Sequence, residues 1–185
     1  NFGEINLLVA YHPETQAIRE KNFGIEHLIS ALDRFPELTL FFTAPGNDVG
    51  GQEIDNKIRN YVASRESAYF FDSLGQRAFL SFLRISDGLI GNSSSGIFEA
   101  PEMGIPSINI GNRQVGREFR ESIINCPSNM KSIENAIQIL LEKKTLEDSF
   151  MKPLVKQGES VSQKIIKVIQ DIDLDGLLPK EFFEK

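Results

Sequence analysis

At 185 residues, with 41% hydrophobic and 25% charged residues, the chain is ordinary for a globular protein and long enough to bury a proper core. Its formal charge of −6 excludes a general nucleic-acid or membrane-surface binder, which needs a basic face, so any anion site must be local. The single cysteine, Cys126, excludes an intramolecular disulfide and a cysteine-rich metal site, and with no apolar run long enough to span a bilayer a cytoplasmic location is expected.

The chain starts at Asn1 rather than at a methionine and enters a strand, Ile5 to Ala10, almost at once, which reads as a piece of a longer protein. Ile18, Ile25, Leu28, Ile29 and Leu32 fall at helical spacing between Ile18 and Phe35, just before Pro36. Leu38 to Thr43 reads as a strand, Ala44 to Gly51 as a turn-rich segment, and Glu53 to about Ser64 as a helix. Ala68 to Phe71 is a third strand, followed by a helix through Phe79, Leu80, Phe82 and Leu83. Asp87 to Ile90, Pro106 to Ile110 and Ser122 to Ile124 complete the strands, and Ser132 to Leu141 and Val161 to Ile172 are amphipathic helices. Strands alternating with helices of this length predict parallel pairing, right-handed crossovers and helices on both faces. The expected fold is therefore α/β, a Rossmann-like doubly wound parallel sheet over residues 1–172. Residues 173–185 carry apolar side chains that suit a tail packed on a neighbouring domain.

The most informative segment is Gly91-Asn92-Ser93-Ser94-Ser95-Gly96, between a buried strand and the helix-like Ile97 to Met103. Free N–H groups at a helix N-terminus point at incoming anions, serine hydroxyls add donors, and glycines let the backbone approach closely. Ser and Asn are also common caps and turn formers, so the hexapeptide alone leaves cap and anion site both open. Downstream, Gly111-Asn112-Arg113-Gln114-Val115-Gly116-Arg117 follows a second short strand and brings Arg113 and Arg117 to the same sheet edge. Strand-end loops of an open parallel sheet share one crevice, and guanidinium groups match phosphate oxygens.

Tyr11-His12-Pro13-Glu14-Thr15 directly follows the first strand and places His12, a side chain suited to proton transfer, at that edge. Glu99 lies one turn beyond the serines, where a carboxylate accepts from a ribose diol or simply sits well near a helix N-terminus. Asn47 and Asp48 either line the crevice or form the turn that holds them. Cys126 reads as a packing residue, and His27, inside the first helix, as structural or solvent-facing.

Three stretches in this order, Tyr11 to Thr15, Gly91 to Gly96 with Glu99, and Gly104-Ile105-Pro106 running on to Arg117, resemble the C-terminal half of the UDP-N-acetylglucosamine 2-epimerase family. That resemblance implies one half of a two-domain enzyme of the glycosyltransferase-B arrangement. It implies UDP and a UDP-amino-sugar as ligands, no cofactor and no metal. Ser93 and Ser94, with Asn92, Ser95, Gly96 and Arg117 around them, would hold the diphosphate, Glu99 the ribose, and the backbone near Leu74 the uracil. His12 and Arg113 would face the reacting sugar and the phosphates. The His-Pro pair looks like the hydrolysing branch, which eliminates UDP to a 2-acetamidoglucal and adds water to release an N-acetylmannosamine-type sugar. Pro45 is followed by Gly46 where the family has Pro-Asn-x-Asp, so Asn47 and Asp48 are only possible contacts. The acid–base carboxylates belong to the N-terminal half, and family members often form dimers or tetramers. A glycosyltransferase of the same architecture and a non-catalytic UDP-sugar-binding module are the competing readings.

Overall fold

A computed structural model describes residues 2–14, 24–145 and 160–172. The strands are β1 Ile5–Ala10, β2 Leu38–Thr43, β3 Ala68–Phe71, β4 Gly88–Gly91, β5 Ser107–Ile110 and β6 Ile123–Cys126. They form one six-stranded sheet in the order β3-β2-β1-β4-β5-β6, with every neighbouring pair parallel. This is the doubly wound order, in which the chain first builds outward from β1 and then returns to its other side. The helices are α1 Ile25–Leu32, α2 Gly51–Ser64, α3 Gly75–Ile85, the single turn α4 Glu99–Glu102, and α5 Met130–Thr145.

Side chains alternate across each strand, so an uninterrupted apolar run feeds two cores at once. Leu7 and Val9 of β1 join Leu38, Leu40 and Phe42 of β2 in the larger core, with Leu28 and Leu32 of α1, Ile54 and Ile58 of α2, and Ile133 and Ile137 of α5. Leu8 and Phe41 point the other way and pack with Leu83, Leu89 and Ala100. In that smaller core Phe41 is the centre of an aromatic cluster, with ring centroids 4.7 Å from Phe82 and 5.2 Å from Tyr69.

The expected fold class holds, and β1, β2 and β3 occupy the residues read from the sequence. β4 continues through Gly91, the first residue of the hexapeptide, and β6 runs two residues further than expected, to Cys126. Helix α2 begins at Gly51, two residues earlier than the pattern indicated, because Gly50 takes a left-handed φ of 91° and turns the chain into it. The helical stretch expected over Ile97 to Met103 is the single turn α4, and a turn of 3-10 helix at Ser94–Gly96 precedes it. Of the helix expected over Ile18 to Phe35, α1 is the described part. Residues 15–23 and the tail 173–185 lie outside the described residues. The chain forms two compact units, residues 1–154 and 155–185, and the second contains α6, Val161–Asp171. Ser160 caps α6 and Gln163 closes a reciprocal capping box.

Phe41→Ala, which removes the hub of the smaller core, is expected to lower unfolding free energy by roughly 3–5 kcal/mol. A urea unfolding curve matching that of the unsubstituted chain would show that the aromatic cluster contributes nothing.

Candidate functional site

β1 and β4 are the neighbours at which the strand order reverses, so the loops leaving their carboxyl ends diverge and open a crevice. Gly91 makes the close approach possible. Its φ is 144°, and a Cβ there would stand 2.0 Å from the carbonyl oxygen of Ala10. Asn92 follows and bridges the gap: its Oδ1 accepts from the His12 N–H at 2.7 Å, and its Nδ2 donates to the His12 carbonyl at 2.9 Å. Its own carbonyl accepts from Arg113 Nη1 at 3.1 Å and Gln114 Nε2 at 2.7 Å. One fully buried residue therefore ties together the loops after β1, β4 and β5. Read from sequence as a ligand contact, Asn92 has its side-chain amide committed to the protein and acts here as a positioning residue. Gln114, buried at 1% exposure, is its unforeseen partner.

His12 is half-buried, and its Nδ1 accepts the backbone N–H of Gly46 at 3.1 Å. Burial, and then the charge of Arg113, hold the imidazole below its ordinary pKa, while Asp48 opposes them. His12 lines a cavity of about 340 Å³ together with Ser93, Ser95, Glu99, Leu74 and Phe79. Glu99 is among the residues that line it, and its Oε2 is buried without a hydrogen-bond partner. Ser93 Oγ accepts the Ser95 N–H at 3.3 Å, the cap of the 3-10 turn. Ser94 opens that turn and is half-buried. Gly96 packs inward, its N–H on Ser93 O and its Cα against Leu89, where an added Cβ would stand 3.1 Å from Cδ2.

The remaining expected residues are spread around this core. Leu74 precedes α3 and forms part of the cavity wall with Ser73 and Gln76. Asn47 and Asp48 line a second cavity of about 590 Å³, formed by the β2–α2 loop. Ala44 and Asp72 border both. Arg113 is exposed apart from its bond to Asn92. Arg117 stacks over the Phe98 ring at 5.0 Å and is not among the described residues lining the 340 Å³ cavity. Cys126 is buried and its thiol is pushed up to about 11 by burial, which fits a packing residue. His27 Nδ1 meets the Ser128 carbonyl at 2.9 Å and ties α1 to the loop after β6.

The strand order and a crevice at its switch point, lined by serine hydroxyls, a histidine and a glutamate with an unpartnered carboxylate oxygen, define a Rossmann-like α/β domain with a polar strand-edge cavity. Residues 3–170 match the sequence profile of the UDP-N-acetylglucosamine 2-epimerase family, and the chain belongs to that family. It is 33% identical over 179 residues to the GDP/UDP-N,N'-diacetylbacillosamine 2-epimerase (hydrolyzing) of Campylobacter jejuni, covering 96% of this chain and 46% of the relative. With the polysialic acid biosynthesis protein P7 of Escherichia coli it shares 31% identity over 89% of this chain and 42% of that protein. Among solved structures, the UDP-GlcNAc 2-epimerase of Methanocaldococcus jannaschii, in complex with UDP-GlcNAc and UDP, superposes with a TM-score of 0.65. The identity is 14%, and the match covers 90% of this chain and 45% of that one. The chain thus spans about half the length of the curated relatives it matches.

Removing the bridge with Asn92→Ala strands the His12 N–H and carbonyl, and is expected to cost roughly 2–4 kcal/mol in a denaturation experiment. A loss below about 1 kcal/mol would mean that water replaces the amide freely. The depressed His12 pKa sets a second expectation. The folded state resists protonation, so its stabilising share is complete above the unfolded value of about 6.5 and is lost as pH falls below it. Urea midpoints measured on both sides of that pH should fall less on acidification in His12→Gln than in the unsubstituted chain.

Proposed function

We propose that the chain is the UDP-holding C-terminal half of a hydrolysing 2-epimerase acting on UDP-N-acetylglucosamine or a close UDP-amino-sugar, such as a 2,4-diacetamido relative. The single observation that carries this reading is the cavity at the β1/β4 switch point, where His12, Ser93, Ser95 and the unpartnered Glu99 carboxylate converge beside Arg113. The family supplies the reaction class.

In this reading the nucleotide lies along the strand ends. Glu99 Oε2 accepts from the ribose diol, which gives that buried oxygen the donor it lacks. The backbone near Leu74 meets the uracil. Ser93, Ser94 and the N–H groups of the 3-10 turn meet the diphosphate, with Ser95, Gly96 and Arg117 shaping its surroundings. Arg113 turns from the Asn92 carbonyl to the phosphate oxygens, and Gln114 keeps that carbonyl satisfied when it leaves.

Elimination removes the C2 proton to a base on the N-terminal half, forms the C1–C2 double bond and breaks the bond from C1 to oxygen, with the electron pair leaving on UDP. Donors aimed at the departing diphosphate stabilise the charge as it develops. Water then adds across the double bond and gives the free 2-epimerised sugar. The carboxylates that handle the C2 proton and the water belong to the N-terminal half, and this chain supplies the hold on the leaving group.

Calorimetric titration with UDP tests the reading. Saturable binding is expected, weakened roughly 10- to 100-fold by Arg113→Ala through loss of a charge-assisted contact, and less by Ser94→Ala. Binding indifferent to both substitutions would overturn the placement. Release of UDP from UDP-N-acetylglucosamine by this chain alone would overturn the division of labour.

A further inference from the structure

The geometry points to a positioning role for the backbone N–H of Gly46: it fixes the His12 ring with Nδ1 bare and the proton on Nε2. His12 then meets a departing diphosphate as a neutral hydrogen-bond donor. This inference rests on the proposed function only for the identity of the ligand; the state of the ring stands on the protein's own contacts.

An N–H donates only to a nitrogen that holds no proton. The Gly46 N–H lies 3.1 Å from His12 Nδ1, so a proton on Nδ1 would set two donors against each other. Nε2 is then the nitrogen left for a ligand in the cavity that the ring lines. Two charged groups face the imidazole: Arg113, from the loop after β5, disfavours a positive ring, and Asp48, from the β2–α2 loop, favours one. Burial sides with Arg113.

Neither partner of this bond is free to drift. The His12 backbone is clamped from both sides by the Asn92 amide. The Gly46 peptide is backed by the start of α2, where a Cβ on Gly51 would stand 2.2 Å from the Gly46 carbonyl oxygen and 3.9 Å from Pro13 Cγ. Gly51 in turn donates its N–H to the Asp48 carbonyl at 2.8 Å, closing the loop on itself. Gly51 is therefore required by space, and the turn it permits aims the Gly46 N–H at the ring. At Gly46 itself an added Cβ would meet Asp48 Oδ2 at 3.6 Å and His12 Nδ1 at 3.8 Å, ordinary contacts that leave room for alanine.

The chemical consequence is specific. A diphosphate is a stable anion and leaves carbon without taking a proton, so a neutral donor that keeps its proton assists the bond cleavage. No proton is transferred by His12 in this step. The C2 proton goes to the base on the other half, and the C–O electron pair leaves with the nucleotide.

Long-range proton–nitrogen correlation NMR on the nitrogen-15-labelled chain tests the assignment, with His12→Gln separating His12 from His27. Above the ordinary histidine pKa, the expected spectrum has His12 Nδ1 at the shift of an unprotonated ring nitrogen and Nε2 at that of a protonated one. Gly46→Ala keeps the N–H and should keep this pattern. Gly46→Pro removes the N–H and should draw the two shifts toward a common averaged value. Gly51→Ala displaces the same peptide and should act in the same direction if the proline variant does not fold. A proton on Nδ1 or averaged nitrogens in the unsubstituted chain would overturn the inference. So would shifts left unchanged in a folded Gly46→Pro or Gly51→Ala. Adding UDP separates the two readings: absence of nucleotide binding counts against the proposed function and leaves the ring assignment standing.

Discussion

Everything at the strand edge depends on one side-chain amide closing the gap between β1 and β4. The two strands pair in register as far as Ala10 opposite Gly91, and there the backbone ladder ends because the chains turn to opposite sides. Asn92 extends the pairing by one rung, its amide offering a donor and an acceptor to the two backbone groups of His12. Asparagine suits this place because its side chain is itself a peptide-like group, whereas a carboxylate has no donor and a serine hydroxyl puts donor and acceptor on one atom. Buried from water, both bonds act in a low dielectric where an unmet partner is costly. The carbonyl of the same residue, shared by Arg113 and Gln114, carries the constraint to the loop after β5.

This arrangement keeps a positive group at the strand edge of an otherwise acidic chain, with formal charge −6. The charge that matters is local. Arg113 is held near His12 by a neutral carbonyl rather than by a carboxylate, so its positive charge remains available. By contrast Arg120 pairs with Glu102, and Arg59 with Asp55 and Asp72. Those pairs serve the surface and contribute little to binding or stability. Glu99 is the complement of Arg113, a residue of the cavity wall with a buried acceptor left without a donor.

The chain belongs to the epimerase family and spans about half the length of its relatives, and in the proposed function the strand-edge crevice is open to a second set of groups from the rest of the protein. The division is chemical as well as spatial. Groups that hold a leaving diphosphate need fixed dipoles and cations, whereas groups that move protons on a sugar ring need carboxylates of tuned pKa. In the proposed function, the described residues supply the first kind.

The sequence by itself determined the sheet and the chemistry of the loops. Runs such as Leu38 to Thr43 and Ala68 to Phe71 announce strands because apolar residues bounded by turn formers have few other ways to satisfy their backbones, and local composition carries that signal. The serine hexapeptide, His12, Glu99 and the arginine loop were legible for the same reason, as residue types whose chemistry does not depend on distant partners. Only the tertiary structure decided which of them bond to one another. Asn92 turns inward to a loop 80 residues earlier, Gln114 to a carbonyl 22 residues back, and Gly46 to a ring 34 residues away. Arg113 and Arg117, alike in sequence, part company on Asn92 and Phe98. Contacts of that range are set by the strand order, which brings β1 beside β4, and no local pattern of residues encodes the partner on the other side.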